Sequence, residues 1–388
     1  MKTNSKPAGA LAAHSRYFEL HRQEMIETIR QMVEIESPSD DKTAVDQLGA
    51  WLAGRIEQLG GQVHFHKQQK VGNHVQADFR GKKKAKPILL LGHHDTVYPM
   101  GTLASMPCKV ERGRLWGPGV FDMKTGIAFM LHAIDVLRDE HGLLPRPVTV
   151  LLVTDEEIGS ATSRAITESL ARKSEAVFVL EPSFGERGAL KTSRKGVADY
   201  TVKVIGQASH AGLDPFKGQS AIHELALQIP KIVKMAQPGH GLTVSVGIIR
   251  GGTRVNVIAA EASADVDIRV TRLSDAAKID RAMRALKPVN RKCKLQITGG
   301  LNRPPMERSK GVAALYAKAQ ALARSVSWKL EETAVGGGSD GNFTAALGIP
   351  TLDGLGAIGE GAHATHESIS IADLPRRAAL IAALIENI

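Results

Sequence analysis

A run of aliphatic residues ends in three polar side chains that could bind a metal ion. The stretch ILLLGHHDTV places His93, His94 and Asp95 directly after the apolar residues 88–92. Such a run predicts an interior strand of an α/β sheet, and folds of this kind place their sites at the carboxyl ends of the strands. Because side chains alternate along an extended chain, His93 and Asp95 point to one side and His94 to the other.

Further carboxylate and imidazole groups occur at other predicted strand ends and loops. Each has an ordinary explanation by itself: an N-cap in GPGVFDMKTG, a surface carboxylate after VFVL, or a loop histidine in GAHATHES. Their shared position at one edge of the predicted sheet favours instead a site for zinc or a similar divalent ion. The candidates of this set are Asp122, Asp155, Glu156, Glu157, Glu181 and His363.

The segments that carry these residues alternate between strands and helices. Helices are predicted over 15–34 and 42–59, and strands over 62–67, 74–79 and 88–92, with further strands and helices up to residue 183. The fold class is therefore predicted to be α/β, with a mixed sheet that has helices on both faces.

The pattern changes between residues 197 and 300. Strand and helix signals there follow the order β-α-β-β-α-β, which predicts a ferredoxin-like α+β domain inserted into the first domain. We expect a catalytic domain formed by 1–195 and 304–388, and a lid domain formed by 196–303.

Composition excludes several classes of protein. The chain has 388 residues and only two cysteines, which rules out a disulfide framework or a cysteine-rich zinc module. Its net charge of +10 is densest in RGKKKAK at 80–86, which we interpret as a solvated hairpin turn, and 4% aromatic residues are too few for base stacking. We predict no nucleic-acid partner.

The hydrophobic pattern also bears on location. The N-terminal MKTNSKPAGALAAHSR has only a short Ala/Leu patch before charge returns, and no later stretch approaches the roughly 20 apolar residues that a membrane helix needs. We predict a cytoplasmic protein with no membrane partner.

Seven separated motifs together resemble one known family. GHHDTV, GPGVFDMKTG, VTDEEIGS, VLEPS, GQASHAG, GGGSD and GAHATHES occur in this order. They are similar to motifs of the co-catalytic zinc exopeptidases and deacylases, a family that includes glutamate carboxypeptidase (carboxypeptidase G type), acetylornithine deacetylase and succinyl-diaminopimelate desuccinylase. The resemblance covers nearly the whole chain after the first helix, and it implies a zinc exopeptidase-like fold with a lid domain.

The resemblance implies a site for two Zn²⁺ ions, with Co²⁺ or Mn²⁺ as alternatives. Asp122 would bridge the two ions, Glu157 and His363 would complete the ligands of one, and His93 and Glu181 those of the other. Two ions about 3.5–4 Å apart can hold a bridging water and lower its pKa towards neutrality.

Catalytic roles also follow from the resemblance. Glu156 would act as the general base, and Asp95 would orient the His93 ring through its second nitrogen. Two neighbouring histidines compete for ligand roles: His94, which points away from His93, and His366, which follows His363 by three residues. The motif context favours His93 and His363.

The lid carries a second group of implied site residues. His210 of ASHAG would donate a hydrogen bond to the oxyanion, reaching across from the partner subunit of a homodimer that forms through the lid. Arginine suits a carboxylate because its planar guanidinium donates two parallel hydrogen bonds. The implied substrate-binding residues are Asn256, Arg269, Arg303, Gly338 and Ser339.

These features predict a two-metal hydrolase that cleaves an amide or peptide bond next to a free carboxylate. A glutamate carboxypeptidase-like exopeptidase is the first interpretation, and an N-acyl-amino-acid deacylase is the alternative. A basic nucleic-acid-binding protein and a non-catalytic homologue are the hypotheses from other classes, and the second is disfavoured because no ligand or base is missing. The basic segment 186–195 departs from the family pattern and receives no role.

Overall fold

A computed structural model of the protein describes residues 7–388. The prediction about an N-terminal targeting segment partly concerns residues 1–6, which lie outside that range. The helices of the described residues are α1 (Pro7–Leu20), α2 (Arg22–Glu34), α3 (Lys42–Gln58), α4 (Thr125–Leu137), α5 (Arg164–Lys173), α6 (Ala221–Val233), α7 (Leu273–Arg284), α8 (Lys310–Arg324), α9 (Gly341–Ala346) and α10 (Leu374–Asn387).

The strands of the same residues are numbered in chain order. They are β1 (Gln62–His66), β2 (His74–Phe79), β3 (Ile88–His93), β4 (Lys109–Glu111), β5 (Arg114–Trp116), β6 (Val148–Val153), β7 (Ala176–Val179), β8 (Leu190–Arg194), β9 (Gly196–Ile205), β10 (Thr243–Gly251), β11 (Glu261–Val270), β12 (Lys294–Arg303), β13 (Glu332–Val335), β14 (Thr351–Leu352), β15 (Gly359–Glu360) and β16 (Ser368–Ser370).

The chain divides into two compact units. The first comprises the chain up to Ser193 together with Arg308–Ala334 and Ser339–Ile388. The second comprises Arg194–Glu307 and the four residues Val335–Gly338, which the sequence had assigned to the catalytic domain.

The first unit is built on a six-stranded mixed sheet with the order β1-β2-β6-β3-β7-β14. Strands β6, β3, β7 and β14 run parallel, while β2 runs antiparallel to both β1 and β6. Alternate residues of β3 enter different clusters: Leu90 packs in the core that contains α2, α4 and α10, and Leu91 packs on the opposite face with Ala171 of α5. Burial on both faces explains the unbroken apolar run, and the predicted α/β class is confirmed.

The second unit contains one four-stranded antiparallel sheet with the order β10-β11-β9-β12. With α6 and α7 it follows the chain order β-α-β-β-α-β, the order of ferredoxin-like folds. Side chains of β9 alternate, so that Tyr200, Val202 and Val204 are buried in a core that also includes Leu225 of α6 and Met283 of α7. The other face of the sheet is polar and partly exposed.

One predicted helix was wrong in its extent. The sequence predicted a single helix over 15–34, whereas the structure contains α1 and α2 with a break at His21. The Ala-rich start of α1 has little amphipathic periodicity, but its Leu11 and Phe18 are fully buried in the main core. Tertiary burial therefore stabilises a helix that the local pattern did not reveal.

Several short elements were not predicted because their pairing partners are distant in sequence. Strand β16 pairs with β5 in a small sheet, with Ser368 opposite Trp116. This pairing places the loop after β5 beside the loop before β16. Those two loops supply residues to the site described next.

Candidate metal centre

Three neighbouring parallel strands deliver polar side chains to one edge of the main sheet. Strand β3 ends in His93, β6 is followed by Asp155, Glu156 and Glu157, and β7 is followed by Glu181. The order β6-β3-β7 makes these strands direct neighbours. Their carboxyl ends therefore meet, as the sequence predicted.

Two other candidate ligands come from loops outside this sheet. Asp122 lies in a short helical turn, Val120–Lys124, that leads into α4. Gly126 at the start of α4 approaches the end of β7 so closely that an added Cβ would lie 2.0 Å from the Leu180 carbonyl oxygen. This contact requires glycine, and it places Asp122 beside the strand end that carries Glu181.

The five predicted metal ligands lie together. The Nε2 atom of His93 is 3.2 Å from Asp122 Oδ1 and 3.6 Å from Glu181 Oε1. The Nε2 atom of His363 is 3.2 Å from Glu157 Oε2 and 3.5 Å from Asp122 Oδ2. The two oxygens of Asp122 thus face different imidazoles, which is the arrangement that a bridging carboxylate requires.

The carboxylates set the protonation of both histidines when no ion is bound. Burial opposes the charged form of His93, but hydrogen bonds to Asp122, Asp95 and Glu181 raise its pKa well above the ordinary value. Hydrogen bonds to Asp122 and Glu157 raise the pKa of His363 to about 10. The cluster therefore attracts positive charge, and its imidazole and carboxylate donors fit zinc or a similar divalent ion.

Glu156, the predicted base, lies within reach of the same cluster. One carboxylate oxygen each from Glu156 and Glu181 and one ring nitrogen of His93 all lie within 4.8 Å of one another. A carboxylate at this distance can take a proton from a water held between the predicted ligands.

Asp95 contacts His93 in a way that differs in detail from the prediction. His93 Nδ1 is 3.0 Å from the main-chain oxygen of Asp95 and 3.5 Å from its carboxylate oxygen Oδ1. The carboxylate also accepts hydrogen bonds from Ser39 Oγ and from the Glu157 amide. Asp95 thus holds the His93 ring and the segment that carries Glu157.

The competing residues occupy other environments. His94 is fully buried behind the cluster, and burial lowers its pKa to about 3. Asp155 accepts hydrogen bonds from the amide and the hydroxyl of Thr162, and so supports the loop after β6.

Glu367, which no sequence motif singled out, ties together the two loops of the site. Its fully buried carboxylate accepts hydrogen bonds from the amides of Gly119, Phe121 and Asp122, at 2.7–2.8 Å. Burial raises its pKa to about 7, although these three donors favour the charged form. The signal in the sequence was its position four residues after His363, in HATHES.

Tyr98 is a second support that the sequence did not reveal. Its hydroxyl donates a hydrogen bond of 3.0 Å to the carbonyl oxygen of Ala364, the residue after His363. The loop that follows Asp95 therefore holds the loop that carries His363.

Two predicted lid residues share a pair of loops in the second unit. The His210 segment forms a β-bridge with Val257, and the Ala211 amide donates to the carbonyl oxygen of Asn256. His210 Nδ1 accepts hydrogen bonds from the amides of Gly212 and Leu213. A neutral ring in this position carries its proton on Nε2, which leaves Nε2 as the ring donor.

The other predicted substrate contacts are more enclosed. Arg269 binds Asp267 through hydrogen bonds of 2.7–3.0 Å on the polar face of the second sheet. Arg303 is buried next to Gly338, where an added Cβ would lie 2.9 Å from Arg303 Cδ.

Ser339 belongs to the first unit and is fully buried. Its hydroxyl donates to Asp353, and its amide donates to the side chain of Asn342. These contacts hold the loop before α9, and the substrate contact predicted for Ser339 stays a prediction.

Comparison with protein families decides the relationship. The sequence model that describes peptidase family M20/M25/M40 matches residues 89–387 of the chain. The chain belongs to this family. It is therefore a metal-dependent peptidase or amidohydrolase, and the predicted relationship is confirmed.

Individual proteins are similar to the chain in sequence or in fold. Carboxypeptidase G2 from Pseudomonas sp. is 31% identical over 94% of this chain and 89% of its own length. Acetylornithine deacetylase from Erwinia tasmaniensis is 29% identical over 72% of this chain and 77% of its own. The structure of aminopeptidase PepT from Bacillus cereus superimposes with a TM-score of 0.75 at 22% identity, covering 94% of this chain and 98% of that one.

Among residues 7–388, no helix has the length and apolar character that are needed to span a bilayer.

Proposed function

We propose that the protein is a two-metal hydrolase of the glutamate carboxypeptidase type, which cleaves an amide or peptide bond next to a free carboxylate. The observation that carries the proposal is the position of Asp122 between His93 and His363, with Glu181 and Glu157 beside the respective imidazoles. The 31% identity to carboxypeptidase G2 over nearly the full chain supports the choice of substrate class.

The residues divide the chemistry between them. When bound, two Zn²⁺ ions, or Co²⁺ or Mn²⁺ in their place, supply Lewis-acid activation of the amide carbonyl and of water. His93, Asp122, Glu157, Glu181 and His363 would hold the ions. Glu156 would accept the proton of the attacking water and pass it to the leaving nitrogen, and Asp95 would keep the His93 ring in place.

The second unit would supply the contacts that recognise the substrate. His210 Nε2 would donate to the developing oxyanion, since its Nδ1 is already occupied by two amides. Asn256, Arg269, Arg303 and Gly338 would contact the carboxylate end of the substrate.

A homodimer through the second unit is part of the proposal. Strand β10 lies at the edge of its sheet, and Ile248 and Ile249 on it are 47% and 58% exposed. An exposed apolar edge strand can pair with the same strand of a second copy. Sedimentation should show a dimer that Ile249→Lys converts to a monomer, and a monomeric wild-type chain would remove this part of the proposal. The cytoplasmic location stays a prediction.

Substrate hydrolysis tests the function directly. Zinc-loaded protein would be incubated with N-acyl amino acids and dipeptides that end in a free carboxylate, alongside the same compounds with an amidated C-terminus and a chelated control. Cleavage of glutamate- or aspartate-ended substrates, lost on amidation and on chelation, supports the carboxypeptidase type. Removal of short acyl groups with little regard to the amino acid favours the deacylase, and cleavage that survives chelation contradicts both.

A further inference from the structure

Two histidines lie side by side on an edge strand far from the metal centre in the sheet order. His64 and His66 are two residues apart on β1, so their side chains project from the same face of the strand. Their ring centroids are 4.8 Å apart and the ring planes are nearly perpendicular. Three strand spacings of about 4.8 Å each separate β1 from β3, which carries His93.

The spacing of the rings fits a shared metal ion. With a metal–nitrogen bond of about 2.0–2.1 Å, two imidazoles on one ion have ring centroids roughly 4.5–5.2 Å apart for bond angles between a right angle and the tetrahedral value. The observed 4.8 Å falls inside this interval. The distance between the rings is therefore compatible with chelation of one ion.

A chain of hydrogen bonds fixes which nitrogen of His66 can bind. Asp78 accepts from the Thr149 hydroxyl at 2.6 Å and from the amide nitrogen of Gln76 at 2.9 Å. A carboxylate only accepts, so the Gln76 amide must present its oxygen to His66, whose Nε2 lies 2.9 Å away. His66 then carries its proton on Nε2, and Nδ1 keeps a lone pair for a metal ion.

This support resembles the outer contacts of known metal ligands. A ligating histidine usually donates its second ring nitrogen to an oxygen acceptor, which sets the tautomer and the ring orientation. The neighbouring His74 cannot add a third imidazole, because its Nε2 contacts Thr162 and its Nδ1 contacts Thr154. Water would fill the remaining positions around the ion.

We propose that His64 and His66 form a second, surface site for one first-row divalent ion, separate from the two-metal centre. Imidazole nitrogen suits Zn²⁺, Ni²⁺ and Cu²⁺, and affinity is highest for Cu²⁺ in this series. His64 is exposed and His66 half-buried, so the ion reaches the pair directly from solvent.

Copper titration of the zinc-loaded enzyme tests the site. One further equivalent of Cu²⁺ should bind, and its electron paramagnetic resonance spectrum should show two imidazole nitrogens, while the zinc content stays constant. His64→Gln and His66→Gln should each weaken this binding at least tenfold and leave kcat and KM unchanged. Gln76→Met, which removes the acceptor for Nε2, should weaken binding by about 10–100-fold, as loss of such outer contacts does at other sites.

A matched control separates this site from general surface binding. His141 is an exposed single histidine, with 75% of its side chain accessible, and His141→Gln should leave the extra equivalent intact. The proposal is overturned if no extra equivalent binds, if binding survives loss of either His64 or His66, or if His141→Gln weakens it as much. Unchanged binding in Gln76→Met would remove the hydrogen-bonded chain from the proposal.

Discussion

The candidate metal centre of the first unit and the His210–Asn256 loop pair of the second hold their polar groups in different ways. Of the five predicted ligands, His93, Glu157 and Glu181 lie at or shortly after strand ends and are almost completely buried, with 2–9% of each side chain exposed, whereas His363 lies in a loop and is 50% exposed. His210 is exposed, and backbone hydrogen bonds between two loops hold it in place. Rigid strand ends suit groups that must keep a fixed geometry around ions, whereas exposed loops suit groups that meet a variable substrate.

The two units also differ in charge. The second unit contains 18 of the 50 Lys and Arg residues and 9 of the 40 Asp and Glu residues, which gives it +9 of the net charge of +10. The first unit is thus nearly neutral overall, with 32 Lys and Arg residues and 31 Asp and Glu residues. Positive charge on the unit proposed to recognise the substrate is consistent with a substrate that carries carboxylates.

Loss of the proposed base should have the largest effect on turnover. Glu156→Ala is expected to lower kcat by about 10²–10⁴-fold while the metal content stays close to that of the wild type, because the residue transfers a proton and is not assigned as a ligand. Steady-state kinetics and metal analysis of the same samples check this. Glu186→Ala, on the surface of the same unit, is the control. Near-normal activity, or loss of an ion, would contradict the assignment.

The loop pair should contribute to the rate without contributing to metal binding. His210→Ala should lower kcat by about 10²–10³-fold at unchanged metal content, and His210→Gln should recover part of the rate because its amide nitrogen can replace Nε2. The control is His223→Ala on α6. If His210→Ala releases metal, the division of roles between the units is wrong.

Glu367 tests how strongly the first unit holds its ligands in position. Glu367→Gln replaces one acceptor oxygen by a donor and should weaken metal affinity by about 10–100-fold, since the amides of Gly119, Phe121 and Asp122 lose part of their acceptor. Competition with a chelator measures the change. Glu360→Gln, on an exposed residue of the same segment, should have no effect, and equal loss in both variants would argue against this positioning role.

Acid should weaken metal binding at the first unit. The pKa of His363 is raised to about 10 and that of His93 is also raised, so protons compete with a metal ion for both rings. Only the neutral ring binds metal, and each displaced proton should lower the apparent affinity about tenfold for every pH unit below the raised pKa. Chelator competition between pH 6 and pH 8 should therefore show affinity rising with pH. A metal affinity that does not change with pH would contradict the raised pKa values of the two histidines.

The charge difference should have the smallest effect. If the second unit attracts anionic substrates, kcat/KM should fall a few-fold as salt increases, with kcat nearly constant. For a substrate with one carboxylate fewer, kcat/KM should depend less on the salt concentration. An unchanged kcat/KM would mean that the excess positive charge plays no part in substrate capture.

Local patterns were sufficient for the long elements and for the ligands at strand ends. The apolar run before His93 predicted β3, and the β-α-β-β-α-β order of the second unit was visible from alternation and turn residues. Local patterns were insufficient for α1, whose burial depends on a distant helix, and for the short strands β5 and β16. A strand of three residues forms because of its partner, and that partner is about 250 residues away.

The sequence by itself determined the chemical types at the centre and the strand ends that carry three of them, because side-chain alternation and parallel strand direction are local properties. Only the tertiary structure decided that Asp122 faces two imidazoles, that Glu367 holds the Asp122 loop, and that Ser339 is buried. Those features depend on loops that meet through long-range pairing. The free energy that fixes them comes from packing and hydrogen bonds between segments that no local pattern connects.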